Sequence, residues 1–265
     1  MMKALEIIDV GIQFGGLKAV QNVSLYVNPG ELVGLIGPNG AGKTTLFNLI
    51  TGIYRPTWGR ILIDGQDIQA FRAYEITNQC GCARTFQNIR LFRNLSVLNN
   101  VLVASHKKIN YGLVSILIQS KKFMENEKQI RREAMDLLKI FNLDHKADEL
   151  ARNLPYGEQR KLEIVRALST KPKILFLDEP AAGMNDSETA QLLKLVRFIR
   201  DDFKIGILVI EHDMKFIMGL CERIYVLDHG QLIAQGTPQE VQRNPEVIKA
   251  YLGEDDSEAS QVANG

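Results

Sequence analysis

The run Gly37-Pro38-Asn39-Gly40-Ala41-Gly42-Lys43-Thr44-Thr45 lies between Glu31-Leu-Val-Gly-Leu-Ile36 and Leu46-Phe47-Asn48-Leu49-Ile50. The first flank reads as a buried strand and the second as the opening turns of a helix. Between them the glycines let the chain curl until successive backbone N–H groups point inward, as a cradle for phosphate oxygens. The helix N-terminus adds partial positive charge behind them. Lys43 supplies a full charge, and the Thr44 hydroxyl suits Mg²⁺. The spacing G-x-x-x-x-G-K-[ST], set between strand and helix, predicts a nucleoside-triphosphate site.

Working outward, the first thirty residues alternate apolar and polar, and Asn28-Pro29-Gly30 is a turn signal. They predict an antiparallel hairpin or meander leading into the phosphate-loop strand. Arg60-Ile-Leu-Ile63 with Asp64-Gly65 predicts another strand and a hairpin turn. Residues 83–87 read as a short strand ending at Gln87. From about 88 to 160 strand-like runs vanish. Helical spacing takes over in Val97, Val101 and Val103, then in Ile130, Ala134, Leu137, Leu138 and Phe141. Residues 119–133 are mostly polar and charged and predict a solvated helix face or a connection. Lys173-Ile-Leu-Phe-Leu-Asp-Glu-Pro180 predicts a central parallel strand with two acids at its C-terminal end. A helix over 186–202 follows, with Leu192, Leu193, Leu195, Val196 and Ile199 on or near one side. Gly206-Ile-Leu-Val-Ile210 is a further buried strand ending at Glu211-His212-Asp213, and residues 223–234 form a late hairpin. The small, acidic residues 254–265 are expected to be disordered.

The chain has 265 residues, 45% hydrophobic and 24% charged, with a formal net charge of +1. That balance gives no global field favouring nucleic acid. The apolar window at 111–118 is too short to cross a bilayer. The N-terminus lacks a signal-peptide core, so a cytoplasmic protein is expected. Cys80, Cys82 and Cys221 make no even disulfide set and are expected as free thiols.

Phosphoryl transfer from a nucleotide to water needs a phosphate cradle, a metal, a residue that orients water and a sensor of the γ-phosphate. Asp178, ending an apolar strand, is placed to serve the Mg²⁺ shell opposite Thr44. Glu179 is placed to orient the attacking water as general base. His212 ends the next apolar strand, where strand C-termini gather around ligands.

Together these residues resemble the nucleotide-binding subunits of ATP-binding-cassette transporters, over residues 3–253. The resemblance implies an α/β fold: a P-loop NTPase (RecA-like) core with an antiparallel β subdomain, at 3–87 and 161–253, and an inserted α-helical subdomain at 88–160. It implies Phe14 as the adenine-stacking aromatic and the Walker A loop at Gly37, Pro38, Asn39, Gly40, Ala41, Gly42, Lys43, Thr44 and Thr45. Gln87 would sit at the lobe junction, serving catalysis and the metal. The signature region would be Leu154, Pro155, Tyr156, Gly157 and Glu158, opening a helix from Glu158 to Leu168 whose positive end faces a γ-phosphate. Asp178, Glu179 and His212 complete the set. The implied cofactors are ATP and Mg²⁺. In that family two ATPase domains face head to tail around two ATPs. ATP closes the pair, and hydrolysis with phosphate release reopens it. Gln87 and the helical segment after it then pass the movement to membrane subunits; the basic, amphipathic stretch Asn88–Leu95 suits either a docking surface or an ordinary loop–helix junction.

The signature departs from the family's common Leu-Ser-Gly-Gly-Gln: Pro155 stands for the serine, Tyr156 for the first glycine and Glu158 for the glutamine. Asn185 stands where aspartate is usual. The sequence of the signature region, Glu-Pro-Ala-Ala-Gly-Met-Asn185, Ile-Glu-His-Asp-Met-Lys215 and Ala250-Tyr-Leu-Gly-Glu254 resemble the ATPase of branched-chain amino-acid uptake systems. This resemblance implies two membrane-spanning permease subunits, a second homologous ATPase or a second copy of this chain, and an external solute-binding protein. No nucleic-acid partner is expected. The implied location is peripheral, on the cytoplasmic face of the inner membrane. Other readings are the ATPase of a lipid or lipopolysaccharide exporter, a soluble cassette acting on nucleic acid, and a non-hydrolytic nucleotide-binding module.

Overall fold

A computed structural model describes residues 2–105, 121–212 and 214–251. The expectations for the window at 111–118 and for the tail at 254–265 lie outside the described residues. In chain order the first elements are β1 Leu5–Phe14, β2 Leu17–Val27, β3 Leu32–Ile36, α1 Lys43–Ile50, β4 Trp58–Ile63, β5 Gln66–Asp67 and β6 Cys82–Arg84. Then follow α2 Val97–Ser105, α3 Lys121–Ile140, α4 Tyr156–Leu168 and β7 Ile174–Asp178. The last are α5 Asp186–Phe203, β8 Gly206–Ile210, α6 Met214–Leu220, β9 Arg223–Asp228, β10 Gln231–Gly236 and α7 Pro238–Gln242. Contacts divide the chain into two units: Met1–Cys82 with Lys173–Gly265, and Ala83–Pro172.

Among the described residues there are two sheets, and of their strands only β6 runs on past Cys82, where the first unit's opening segment ends. One has the order β2-β1-β4-β5 and the other the order β10-β9-β3-β8-β7-β6. In the first sheet β1 pairs antiparallel with β2, matching Leu5 to Val27, Ile7 to Leu25 and Ile12 to Val20. The alternation read from the sequence buries these six side chains. β4 turns into β5 through Asp64 (φ 49°) and Gly65 (φ 77°), the left-handed pair that a two-residue hairpin requires. In the second sheet β3 runs parallel to both β8 and β9, and β8 runs parallel to β7. β3, β7 and β8 are buried at every position, which is why they read as unbroken apolar runs. Their C-terminal ends therefore share one edge of the sheet. β7 lies between β8 and β6, one strand in from the edge and not at the centre as the apolar run suggested. Beneath that edge the rings of Phe47 on α1 and Phe176 on β7 meet edge to face at 5.6 Å, both fully buried. Burial on this scale contributes roughly 1.5–3 kcal/mol per ring. α5 buries Leu192, Val196 and Ile199, and leaves Leu193 and Leu195 partly exposed.

In the second unit, Ile130, Ala134 and Leu138 of α3 and Phe141 beyond it are buried, following the helical spacing. Val97 and Val101 of α2 are buried, but Val103 is 49% exposed. Two residues beyond Val101 the helix has turned by about 200°, so Val103 faces the other way. The observed unit runs from Ala83 to Pro172, wider than the expected 88–160. A border at 161 would cut α4, a continuous helix of 13 residues, so residues 161–172 stay with the helical unit.

Candidate active site

At the shared edge of the parallel sheet, β3 releases the chain into the loop 37–42. Gly37 (φ 154°), Gly40 (φ 75°) and Gly42 (φ 98°) all take positive φ. A Cβ on Gly37 would lie 2.0 Å from the Leu227 carbonyl oxygen, and one on Gly42 would lie 2.7 Å from that of Ala19. The loop is thus wedged against neighbouring backbone, and only glycine fits at these two places. The Ala41 N–H donates to the Pro38 carbonyl at 3.2 Å, and the Gly230 N–H to the Ala41 carbonyl at 2.9 Å. Lys43 Nζ arches over the loop and donates to the carbonyls of Gly37 (2.5 Å) and Pro38 (2.7 Å). Asn39, Gly40 and Thr44 are exposed, Thr45 is half-buried, and Gly37, Pro38 and Ala41 are buried. No acidic residue occupies the first turn of α1, so nothing there opposes a phosphate.

Asp178 ends β7 and is 6% exposed. Glu179 follows with φ 45°, a conformation rare for any residue other than glycine. Its N–H donates to the Ile210 carbonyl at 2.9 Å, which fixes it beside the end of β8. His212, largely exposed, brings Nδ1 to 4.0 Å from Glu179 Oε1. The structure therefore gathers the phosphate loop, Asp178, Glu179 and His212 on one edge of the sheet. Phe14 ends β1 and is 45% exposed. Its ring and that of Tyr54 pack edge to face, with centroids 5.3 Å apart. Sequence reasoning missed Tyr54, since nothing local to it signals an aromatic neighbour forty residues earlier.

The second unit holds the remaining residues. β6 stops at Arg84, so Gln87 lies in an exposed bend beyond the strand and not at its end. The reason is a buried ion pair on α4. Arg160, 0% exposed, meets Glu163, 3% exposed, at 3.0 Å. Its guanidinium donates to the carbonyls of Phe86 (2.6 Å) and Gln87 (2.8 Å). Glu163 Oε1 accepts the N–H groups of Phe86 (3.3 Å) and Arg90 (3.2 Å). These side chains take the backbone groups of 86–90 away from sheet pairing. Burial pushes the Glu163 carboxyl above its usual range, against the pull of Arg160. The only sequence signal for this clamp was an Arg and a Glu three residues apart on an otherwise apolar helix face.

α4 starts at Tyr156, two residues before the expected Glu158, because Pro155 sits naturally as the N-cap and cannot donate an N–H. Tyr156 is exposed, with Gly157 and Glu158 completing the first turn, and Leu154 is buried. Glu158 is held by Lys146 at 2.7 and 2.9 Å, and the carboxylate raises the Lys146 pKa. A bare carboxylate at a helix start would repel an incoming phosphate; here its charge is neutralised by its neighbour. Gln87, Asn88, Ile89, Leu91, Arg93, Tyr156 and Gln159 line an open pocket of about 190 Å³. Asn185 is the N-cap of α5, accepting the Glu188 N–H at 3.0 Å while Glu188 accepts its own. Asn serves there as well as the usual aspartate.

A family model described as ABC transporter matches residues 20–182. The chain belongs to the ABC transporter ATPases. A second model, branched-chain amino acid ATP-binding cassette transporter, matches residues 231–257 of the ATPase. The high-affinity branched-chain amino acid transport ATP-binding protein LivG of Escherichia coli K12 is 47% identical over 243 residues, covering 92% of this chain and 95% of that protein. BraF of Pseudomonas aeruginosa, with the same description, is 44% identical over 250 residues, covering 94% and 98%. The lipopolysaccharide export ATP-binding protein LptB of Escherichia coli K12 is 36% identical over 242 residues, covering 91% and 94%. Among solved structures, the ADP conformation of the cassette MJ1267 superposes with a TM-score of 0.82 at 31% identity, covering 96% of this ATPase and all of that chain. A dimeric post-hydrolysis state of the cassette MJ0796, bound to ADP and phosphate, superposes with a TM-score of 0.72 at 25% identity, covering 88% and 98%. Among the described residues no helix is long and apolar enough to cross a membrane.

Proposed function

We propose that this ATPase powers a branched-chain amino-acid importer, working as one of a head-to-tail pair of cassettes on two membrane-spanning permease subunits. The observation that carries the chemistry is the grouping of the phosphate loop, Asp178, Glu179 and His212 on one sheet edge. The solute is supported by the 47% identity to LivG, against 36% to the exporter ATPase LptB.

In this reading the free backbone N–H groups of the loop, those of Asn39, Gly40 and Gly42, and the Lys43 ammonium bind the triphosphate through charge-assisted bonds. Phe14, steadied by Tyr54, stacks on the base. Glu179 orients the attacking water and accepts its proton, and His212 senses the γ-phosphate. The residues fit Mg²⁺: the Thr44 hydroxyl on the second residue of α1 and the nearly buried Asp178 carboxylate are hard oxygen donors. When bound, the metal supplies neutralising charge to the phosphate oxygens. A second cassette would present its own turn 154–158 to the γ-phosphate. Pro155 brings no N–H, so Gly157 and the following backbone N–H groups would make that contact. Gln87 and the stretch Asn88–Leu95, with the pocket they line, form the docking surface for the permeases. The complex would sit at the cytoplasmic face of the inner membrane, served by an external solute-binding protein.

The test has two parts. Glu179→Gln should keep ATP binding and lower turnover by roughly 10²–10⁴, the span of a positioned base. Purification of the native complex in mild detergent should yield permeases that support leucine, isoleucine and valine uptake in vesicles. Copurified export components would overturn the importer assignment and leave the ATPase chemistry standing.

A further inference from the structure

Glu211 is 1% exposed and has no part in the chemistry above. It follows β8 directly, where its two oxygens serve two different segments. Oε1 accepts the Ala181 N–H at 2.8 Å. Oε2 accepts the His212 N–H at 3.2 Å and lies 3.7 Å from His212 Nδ1. Ala181 lies two residues beyond Glu179. Thus one carboxylate ties the turn after β7 to the backbone that carries the histidine.

Glu179 needs such a tie. A side-chain-bearing residue at φ 45° persists only where the surroundings over-determine it. On its near side the Glu179 N–H is bonded to Ile210, and Asp178 is in register with Ile210. On its far side the Ala182 N–H returns to the Glu179 carbonyl at 3.2 Å. Between them, the Ala181 N–H to Glu211 bond anchors the turn to the neighbouring strand. A carboxylate is the side chain that accepts on both oxygens at once. A glutamine keeps one acceptor and places an N–H group against the other donor.

We propose that Glu211 is a positioning residue that holds the Glu179 carboxylate and the His212 imidazole in one frame for hydrolysis. It acts through Glu179 and rests on the reading of Glu179 as the residue that orients water. Residues that act as a unit lose activity non-additively, which separates this role from a general contribution to stability.

The experiment measures kcat and KM for MgATP in the purified transporter complex carrying Glu211→Ala, Glu211→Gln, Glu179→Gln and the two double variants, with thermal midpoints alongside. Glu211→Ala should lower kcat about 10- to 100-fold with KM within about threefold. Glu211→Gln should fall between it and the parent. Added to Glu179→Gln, either change should cost less than about threefold more. Losses that multiply in the double variants, or a kcat within twofold of the parent for both Glu211 variants, would overturn the proposal alone. If Glu211→Ala does not fold, the Glu211→Gln pair decides on the same criterion. Full turnover in Glu179→Gln would overturn both the reading of Glu179 and this proposal.

Discussion

Replacing Gly37 by alanine tests whether the phosphate loop is held by backbone packing. The added Cβ would lie 2.0 Å from the Leu227 carbonyl oxygen and 3.0 Å from its carbonyl carbon, and both are backbone atoms of β9. Strand β9 is paired to β3 and β10, so it cannot retreat cheaply. The φ of 154° adds a strain of about 1–3 kcal/mol for a residue with a side chain. Overpacking of a close-fitted site adds about 1–3 kcal/mol. The sum, about 2–6 kcal/mol, is a large share of a typical folding stability of about 5–15 kcal/mol. The cheapest relief is displacement of the loop itself, which misaims its N–H groups. Gly40→Ala is the internal control: its φ is 75°, but a Cβ there meets nothing within 4 Å. It should lose only about 1–2 kcal/mol, the left-handed penalty. Urea unfolding and calorimetric titration with a slowly hydrolysed ATP analogue are the assays. Gly37→Ala should be less stable than Gly40→Ala, by about 2.5 kcal/mol between the centres of the two ranges, and bind the analogue at least about 100-fold more weakly than the parent. Equal stability and equal affinity for the two variants would refute the claim that the loop is wedged against β9.

Lys43→Ala removes the charge that spans the loop between Gly37 and Pro38 and should weaken ATP binding at least about 100-fold; unchanged affinity by calorimetry would count against the phosphate-cradle reading. Phe14→Ala should cost about 1–3 kcal/mol, or roughly 5- to 150-fold, for both ATP and GTP, since stacking tolerates any base; a loss confined to one nucleotide in competition binding would contradict it. Glu163→Ala leaves the fully buried Arg160 uncompensated and should destabilise the fold by about 3–5 kcal/mol in urea. Burial raises the Glu163 pKa above 4.5, so the folded chain holds that proton more tightly than the unfolded chain. The resulting stabilisation is full below the ordinary value and lost as pH rises through the raised one. The stability of Glu163→Gln measured against the parent should therefore shift in the variant's favour as pH rises above the ordinary carboxylate value, and a difference that stays flat with pH would exclude the effect.

Much of this was readable from local pattern. The alternation in residues 5–27 announced a hairpin because one face is buried and the other is not. The unbroken apolar runs at 32–36, 174–177 and 206–210 announced parallel strands because both of their faces are covered. Asp64-Gly65 announced its turn because few residues accept the left-handed pair. What misled was pattern without its partners. Gln87 read as a strand end because Thr85 and Phe86 are strand-like residues, yet Arg160 and Glu163, more than seventy positions later, draw that backbone out of the sheet. Val103 counted as apolar spacing without regard to the face it occupies. The helix at Tyr156 was entered late because Pro155 and Tyr156 look like loop.

The amino-acid order alone pointed to residues 37–45 as a loop suited to cradling a triphosphate. Its glycines, lysine and threonine fall within one short stretch, residues 37–44, and its curl depends on local backbone freedom. Order alone also marked Asp178, Glu179 and His212, since each ends an apolar run. Only the tertiary structure decided how those ends relate. Parallel pairing of β7 with β8 brings the Glu179 N–H to Ile210 and the Glu211 carboxylate to the Ala181 N–H. Hydrogen bonds between residues some thirty positions apart are set by strand register, and register follows from which faces are buried together.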